Sequence, residues 1–178
     1  MQSAKNNRAR ILASALALSA AAFGTWQVSE GYSSEAIIPT KGDVPTIGHG
    51  STKYEDGTPV KMGDKITRQR AVQLARNLAD QDCKKVSDSI PGVKLHPGEF
   101  DVYCDFTGQY GIGNWRGSSM RKQLMAGNYV QACTALLQYR KAAGYDCSTL
   151  VNGKPNQRCY GVWVRQKARY DACMGEQA

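Results

Sequence analysis

From Ile11 to Ser29 the chain carries no charge, and Lys5, Arg8 and Arg10 stand in the segment before that run. A basic start followed by an apolar stretch is the pattern of an export signal. The centre, "ILASALALSAAAFG", is mostly Ala, Ser and Gly with a few Leu and Ile, so it is only weakly apolar. A stable transmembrane helix wants about 20 strongly apolar residues. Three readings follow: a signal peptide cleaved near the small residues of "ALA", a permanent anchor, and an uncleaved anchor weak enough to leave the bilayer. In each, the basic flank stays on the cytoplasmic side and the rest of the chain lies outside. The chain divides into residues 1–28, an export segment or weak signal-anchor, and residues 29–178, long enough for one domain with its own core.

Cysteine usage points to the same compartment. The six cysteines, at 83, 104, 133, 147, 159 and 173, contain no CxxC or other short ligand pair. That spacing does not suggest zinc, and no cofactor is implied. An even count in an exported chain suggests disulfides. The turn-rich "NGKPNQ" favours Cys147–Cys159 as one of them. Cys104 and Cys133, each on an apolar helix face, could equally be buried thiols. The formal charge of +8 favours polyanionic neighbours: nucleic acid, anionic lipid or an acidic wall. Export and disulfides argue against nucleic acid, and no nucleic-acid motif is present.

Beyond the run, breakers crowd residues 32–65, with an Asp56-Gly57 turn signal between short potential strands. From Thr67, a candidate N-cap, the pattern turns helical. Further helices are expected around Phe100–Thr107, after Ser118 or Ser119, over Asn128–Ala143 with Gly144 as the stop, and over Val162–Met174. The expected architecture is α+β: a small β-hairpin lobe, then a larger helical lobe, with a cleft between them for a long substrate.

Glu30 closes the apolar run and precedes Gly31. A carboxyl at the end of an apolar helix is partly desolvated, which raises its pKa toward what a general acid needs; an ordinary helix-end Glu is the plainer alternative. In "GDVPTIGHG" the glycines permit close approach of a substrate, Thr46 supplies a hydroxyl to position a water, and Asp43 supplies a second carboxyl. Two carboxyls flanking a bond, with room for water, are the equipment of glycoside hydrolysis. Asp43 is also a favoured turn residue.

Four fragments in order carry a resemblance: Glu30-Gly31 followed by Thr46-Ile47-Gly48-His49-Gly50, then "KMGDKIT", then "QYGIGNWRGSSMRKQLMAGNY", then "GVWVRQKAR". They resemble the phage-type lysozymes, glycoside hydrolase family 24, over about residues 29–174. The resemblance implies a lysozyme-like fold and a muramidase that cuts the β-1,4 bond between N-acetylmuramic acid and N-acetylglucosamine in peptidoglycan during host lysis. It implies Glu30 as general acid and Thr46 as its partner. The family's second acid, about nine residues after the Glu, is out of register here. By count Pro39 or Thr40 stands near that place; either Asp43, three residues before Thr46, takes the role, or Thr40 does, or a water held by Thr46 suffices. His49 and Tyr110 are expected to contact substrate; a locally bonded histidine and a core tyrosine are the alternatives. Glu35 is a rival carboxylate expected in a loop, Trp115 a sugar-stacking or core residue, and Arg121 and Arg165 belong to the basic surface or bind wall carboxylates. The resemblance extends to exported, signal-anchor-release members, which wait inactive on the inner membrane and act in the periplasm once the anchor leaves it. A monomer is expected. A lytic transglycosylase and a non-catalytic wall-binding protein are the competing functions.

Overall fold

The charge-free run is built into the fold in pieces. A computed structural model describes residues 9–177, except for the side chains of Trp26, Val28, Ser29 and Glu30. Lys5 and Arg8 of the basic flank lie outside the described residues. The chain separates into two compact units, Ala17–Lys85 and the residues up to Leu16 with those from Val86 onward. The run therefore contributes to both. Among the described residues no helix is long and apolar enough to cross a membrane.

In the unit Ala17–Lys85, helix α1 (Ala20–Glu30) starts at Ser19, whose Oγ accepts from the Ala22 amide at 3.1 Å. Serine caps free a helix of an orphan donor, and the alanines that follow favour helix. The helix stops at Gly31, which takes φ 71°. Leu18 and Phe23 are buried. Arg76 of helix α2 (Arg68–Asp88) donates to the Leu18 carbonyl at 2.7 Å, with its guanidinium 5.3 Å from the Phe23 ring centre. Strand β2 (Ser33–Ile37) pairs antiparallel with β3 (Thr46–Gly48), Ser33 opposite Gly48 and Ile37 opposite Thr46, with a register shift between.

The expected Asp56-Gly57 turn forms. The Thr58 amide donates to Asp56 Oδ1 at 2.8 Å, and Lys53 bridges to Pro59 without extending into longer strands. Thr67 caps α2 as expected, accepting from the Arg70 amide at 3.2 Å. Ala36, Ile47, Val60, Ile66, Ala71 and Leu74 form the core beneath the hairpin. Gly48 is locked into it. Its φ is 64°, and a Cβ there would stand 2.9 Å from the Ala71 Cβ.

In the other unit, Ile11–Leu12 (β1) pairs antiparallel with Lys94–Leu95 (β4). Helix α3 (Pro97–Arg116) follows, longer than the helix expected around Phe100–Thr107 and kinked at Gly111, φ 80°. The α3 side chains Phe100, Tyr103, Phe106 and Trp115 are buried to within 1%. Helices α4 (Ser119–Met125), α5 (Tyr129–Ala135) and α6 (Tyr160–Gly175) complete the helical part. The helix expected over Asn128–Ala143 is shorter. It gives way to a 3-10 turn at Leu136–Gln138, then a tight hairpin pairing Lys141–Ala142 (β5) with Tyr145–Asp146 (β6). Ala143 and Gly144 both take positive φ there, so Gly144 turns a hairpin rather than stopping a helix. A second small hairpin pairs Leu150–Val151 (β7) with Lys154–Pro155 (β8). Cys147–Cys159 forms as expected, and Cys133–Cys173 ties α5 to α6. No cysteine is free.

Glu99 is fully buried near the start of α3. Its Oε2 accepts from Arg10 Nε at 3.0 Å and from the His96 amide at 2.7 Å, and its Oε1 accepts from Gln177 Nε2 at 2.6 Å. Arg10 also donates to Gln177 Oε1 at 2.7 Å and lies 3.9 Å from the Tyr129 ring centre. The last basic residue before the charge-free run is thus the counter-ion of a carboxylate with no access to water.

Removing one partner of a buried ion pair leaves the other charge uncompensated. Arg10→Ala should therefore cost about 3 kcal/mol in denaturant unfolding, with Glu99→Gln in that background recovering part of the loss; a cost within experimental error would show that Arg10 is not the effective counter-ion. Gly48→Ala should lower stability by about 2 kcal/mol or more, because it combines a left-handed backbone with overpacking against Ala71. An unchanged unfolding midpoint would contradict that packing.

Candidate active site

Glu30 is the last residue of α1, and its position is a product of that helix's length. Ser19 sets the start and Gly31 the end. The Glu30 side chain lies outside the described residues. The Gly31 carbonyl faces His49 Nδ1, and the Gln27 side-chain amide lies 3.2 Å from His49 Nε2. His49 is only 4% exposed. It follows β3 directly, so the strand that carries Thr46 also carries the histidine to the end of α1.

A carbonyl can only accept, so Nδ1 carries the proton, and Nε2 is left to accept from the Gln27 amide. Tyr32 tilts against the imidazole at 5.7 Å between ring centres, and the Arg68 guanidinium sits 4.5 Å from the Tyr32 ring centre. Gln27, Gly31, Tyr32, His49 and Arg68 line an open hollow of about 530 Å³. The sequence reading did not single out Gln27, Tyr32 or Arg68. Gln27 had a weak signal: three residues before Glu30, it falls near the same helix face.

Thr46 is half-buried, and its Oγ1 donates to the Ile37 carbonyl across the hairpin at 3.4 Å. Asp43 and Thr40 lie in the loop between the paired residues Ile37 and Thr46. They close one turn, with the Asp43 amide donating to the Thr40 carbonyl at 2.9 Å, and both side chains are exposed. Glu35 is exposed on β2 and paired with Lys65 at 2.8 Å. It lines a separate hollow with Ser34, Lys65, Ile66 and Thr67.

The remaining sequence candidates belong to the other unit. Tyr110 is half-buried among aromatic rings, 4.8 Å from Phe106 and 5.3 Å from Tyr139 between ring centres. Its hydroxyl donates to the Tyr139 carbonyl at 3.1 Å, and burial pushes its phenol up. Trp115 is a core residue with no exposure, donating to Ser89 Oγ at 2.7 Å. Arg121 donates to the Ser89 carbonyl at 2.9 Å, and Arg165 to Asp105 Oδ1 at 2.6 Å. These arginines have bonds within the fold. Among the described residues no cluster of three His, Cys, Asp or Glu side chains could hold a metal ion.

Known proteins resemble this chain over most of its length. Residues 27–157 match the family model "Phage lysozyme". An endolysin of Salmonella phage P22 is 31% identical over 132 residues, covering 72% of this chain and 86% of that protein. A SAR-endolysin of Escherichia phage N15 is 31% identical over 174 residues, covering 90% of this chain and 92% of that one. The solved structure of an endolysin from Escherichia coli O157:H7 phage FAHEc1 superposes with a TM-score of 0.69 at 28% identity, covering 90% of this chain and 94% of that one. The chain belongs to the phage lysozyme family: it has the α+β lysozyme fold and is a muramidase endolysin, a glycoside hydrolase of host-cell lysis.

Proposed function

We propose that Glu30 is the general acid for cleavage of the peptidoglycan β-1,4 bond, with Thr46 and Asp43 serving the water that attacks the other face of the sugar. The observation that carries this reading is the end of α1. Glu30 stops the helix beside a hollow open enough for a sugar, and the hairpin that carries Thr46 returns to that same helix end through His49. Glu30 gives its proton to the glycosidic oxygen as the bond breaks. Thr46 holds a water by its hydroxyl, and a carboxylate takes the proton that the water loses. Asp43 is the nearest acid of the hairpin loop, and its side chain is exposed. Tyr110, in the helical unit, is assigned to glycan contact.

We further infer that the chain reaches the host periplasm tethered by Ile11–Ser29, and that this segment then leaves the inner membrane. What supports release is the use the fold makes of these residues. β1 and α1 are cut from the run, and Arg10 from its basic flank neutralises Glu99. While the run spans a bilayer none of these contacts can form, and the helix that ends in Glu30 is not in place. The many Ala, Gly and Ser residues keep the cost of leaving the membrane small.

Turbidity clearing of outer-membrane-permeabilised cells tests the site. Glu30→Gln should lose about 10³-fold or more in rate, and Thr46→Ala and Asp43→Asn about 10- to 100-fold. Full activity of Asp43→Asn would remove that residue from the mechanism while leaving Glu30 and Thr46. Release is tested with leucines at positions exposed in the fold, Ala15, Ala17 and Ala21. The triple variant should stay in the membrane fraction and fail to lyse; unchanged lysis would refute release from the bilayer.

A further inference from the structure

His49 stands on the hairpin, yet its bonds go to the helix. Its Nδ1 donates to the carbonyl of Gly31, the residue after Glu30. Its Nε2 faces the amide of Gln27, three residues before Glu30, at 3.2 Å. One imidazole therefore touches the last turn of α1 on both sides of the acid. The helix end has need of such a partner. The last carbonyls of a helix have no partner within it, and Gly31 at φ 71° is a residue with wide conformational freedom. His49 is held in turn. Gly48 before it packs 2.9 Å, counted from an added Cβ, from Ala71 of α2, and the Tyr32 ring leans on the imidazole.

We propose that His49 is a positioning residue for the hydrolysis: it clamps the terminal turn of α1 around Glu30 and sets that turn against the strand bearing Thr46. The proposal rests on Glu30 being the acid. It assigns His49 a task other than glycan contact, in keeping with its 4% exposure. The physical reason is distance. Acid and water must sit on opposite faces of one bond, and a misplacement of about 1 Å costs about 100-fold in rate. Glu30 and Thr46 come from different elements, so their separation depends on whatever joins those elements, and His49 joins them three residues from Thr46. Among the residues described, the imidazole is the side chain that does so from the hairpin end.

The test compares three replacements in the full chain, with initial rates measured against the concentration of purified sacculi. The amide nitrogen of asparagine falls near the place of Nδ1, and that of glutamine near Nε2. His49→Ala and His49→Gln should lose about 100-fold in kcat with KM little changed. His49→Asn, which can still donate to the Gly31 carbonyl, should recover most of the rate. Thermal unfolding of each variant separates this from loss of fold, and the Asn–Gln comparison stands even where the alanine variant is unstable. A rise in KM at constant kcat would overturn the proposal in favour of glycan contact. Equal losses in Asn and Gln, or losses that track thermal stability alone, would overturn it in favour of a purely structural histidine. Glu30→Gln is measured alongside. If it stays active, the assignment of the acid fails, whatever the order of the His49 variants.

Discussion

A carboxylate with no exposure obliges the chain to bring it a cation. Glu99 is that carboxylate, and the cation is Arg10, far away in sequence. A buried charge without its partner costs several kcal/mol, so this pair fixes where the N-terminal segment must go. Once Arg10 is seated, Ile11 and Leu12 fall beside Lys94 and Leu95 as β1 against β4. The chain then runs on through Ala13, which is buried, and Leu18 into α1.

Under the release proposed above, the same residues serve two environments, and they suit both by being indifferent to both. Alanine and serine cost little in a bilayer and little on a protein surface, and alanine is the best helix former. A run of leucines would hold the membrane too strongly, and a charged amphipathic helix would not enter it. The run instead buries selected side chains, Ala13, Leu18 and Phe23, and leaves Ala15, Ala17, Ala20 and Ala21 exposed. Its charges sit at its two ends. Arg10 is used for an ion pair inside the fold.

The hairpin shows why a shifted motif need not mean a lost function. Thr46 keeps its place opposite Ile37 because Ile47 and Gly48 are anchored in the core against α2. The loop from Ile38 to Pro45 has no such anchor. It turns at Thr40–Asp43 with its side chains in solvent, so residues there can shift by a few positions without disturbing the strands. The register of the threonine is a property of packing, while that of the acid is a property of a loop.

Much of this was visible in the residue order. Local signals are encoded by neighbours: the cap at Thr67, the Asp56-Gly57 turn, and the Cys147–Cys159 bridge across a short turn-rich loop. The ordered fragments around Glu30-Gly31 and Thr46–Gly50 carried the family. Other features depended on residues that meet only when the chain is folded. Gly144 read as a helix stop and turned a hairpin, because the chain had already left the helix at Leu136. Trp115 offered a sugar-stacking ring and went to the core, where Ser89 takes its N–H. His49 read as a residue of a glycine-rich turn, and nothing nearby in sequence foretold that both ring nitrogens would reach the helix ahead of it. Arg10 read as the basic edge of an export segment, and its partner lies 89 positions further on. The sequence by itself determined the family and the chemistry on offer, since these rest on local composition and motif. Only the tertiary structure decided which charges are neutralised and which side chain meets the last turn of α1, since burial and hydrogen bonding are relations between distant residues.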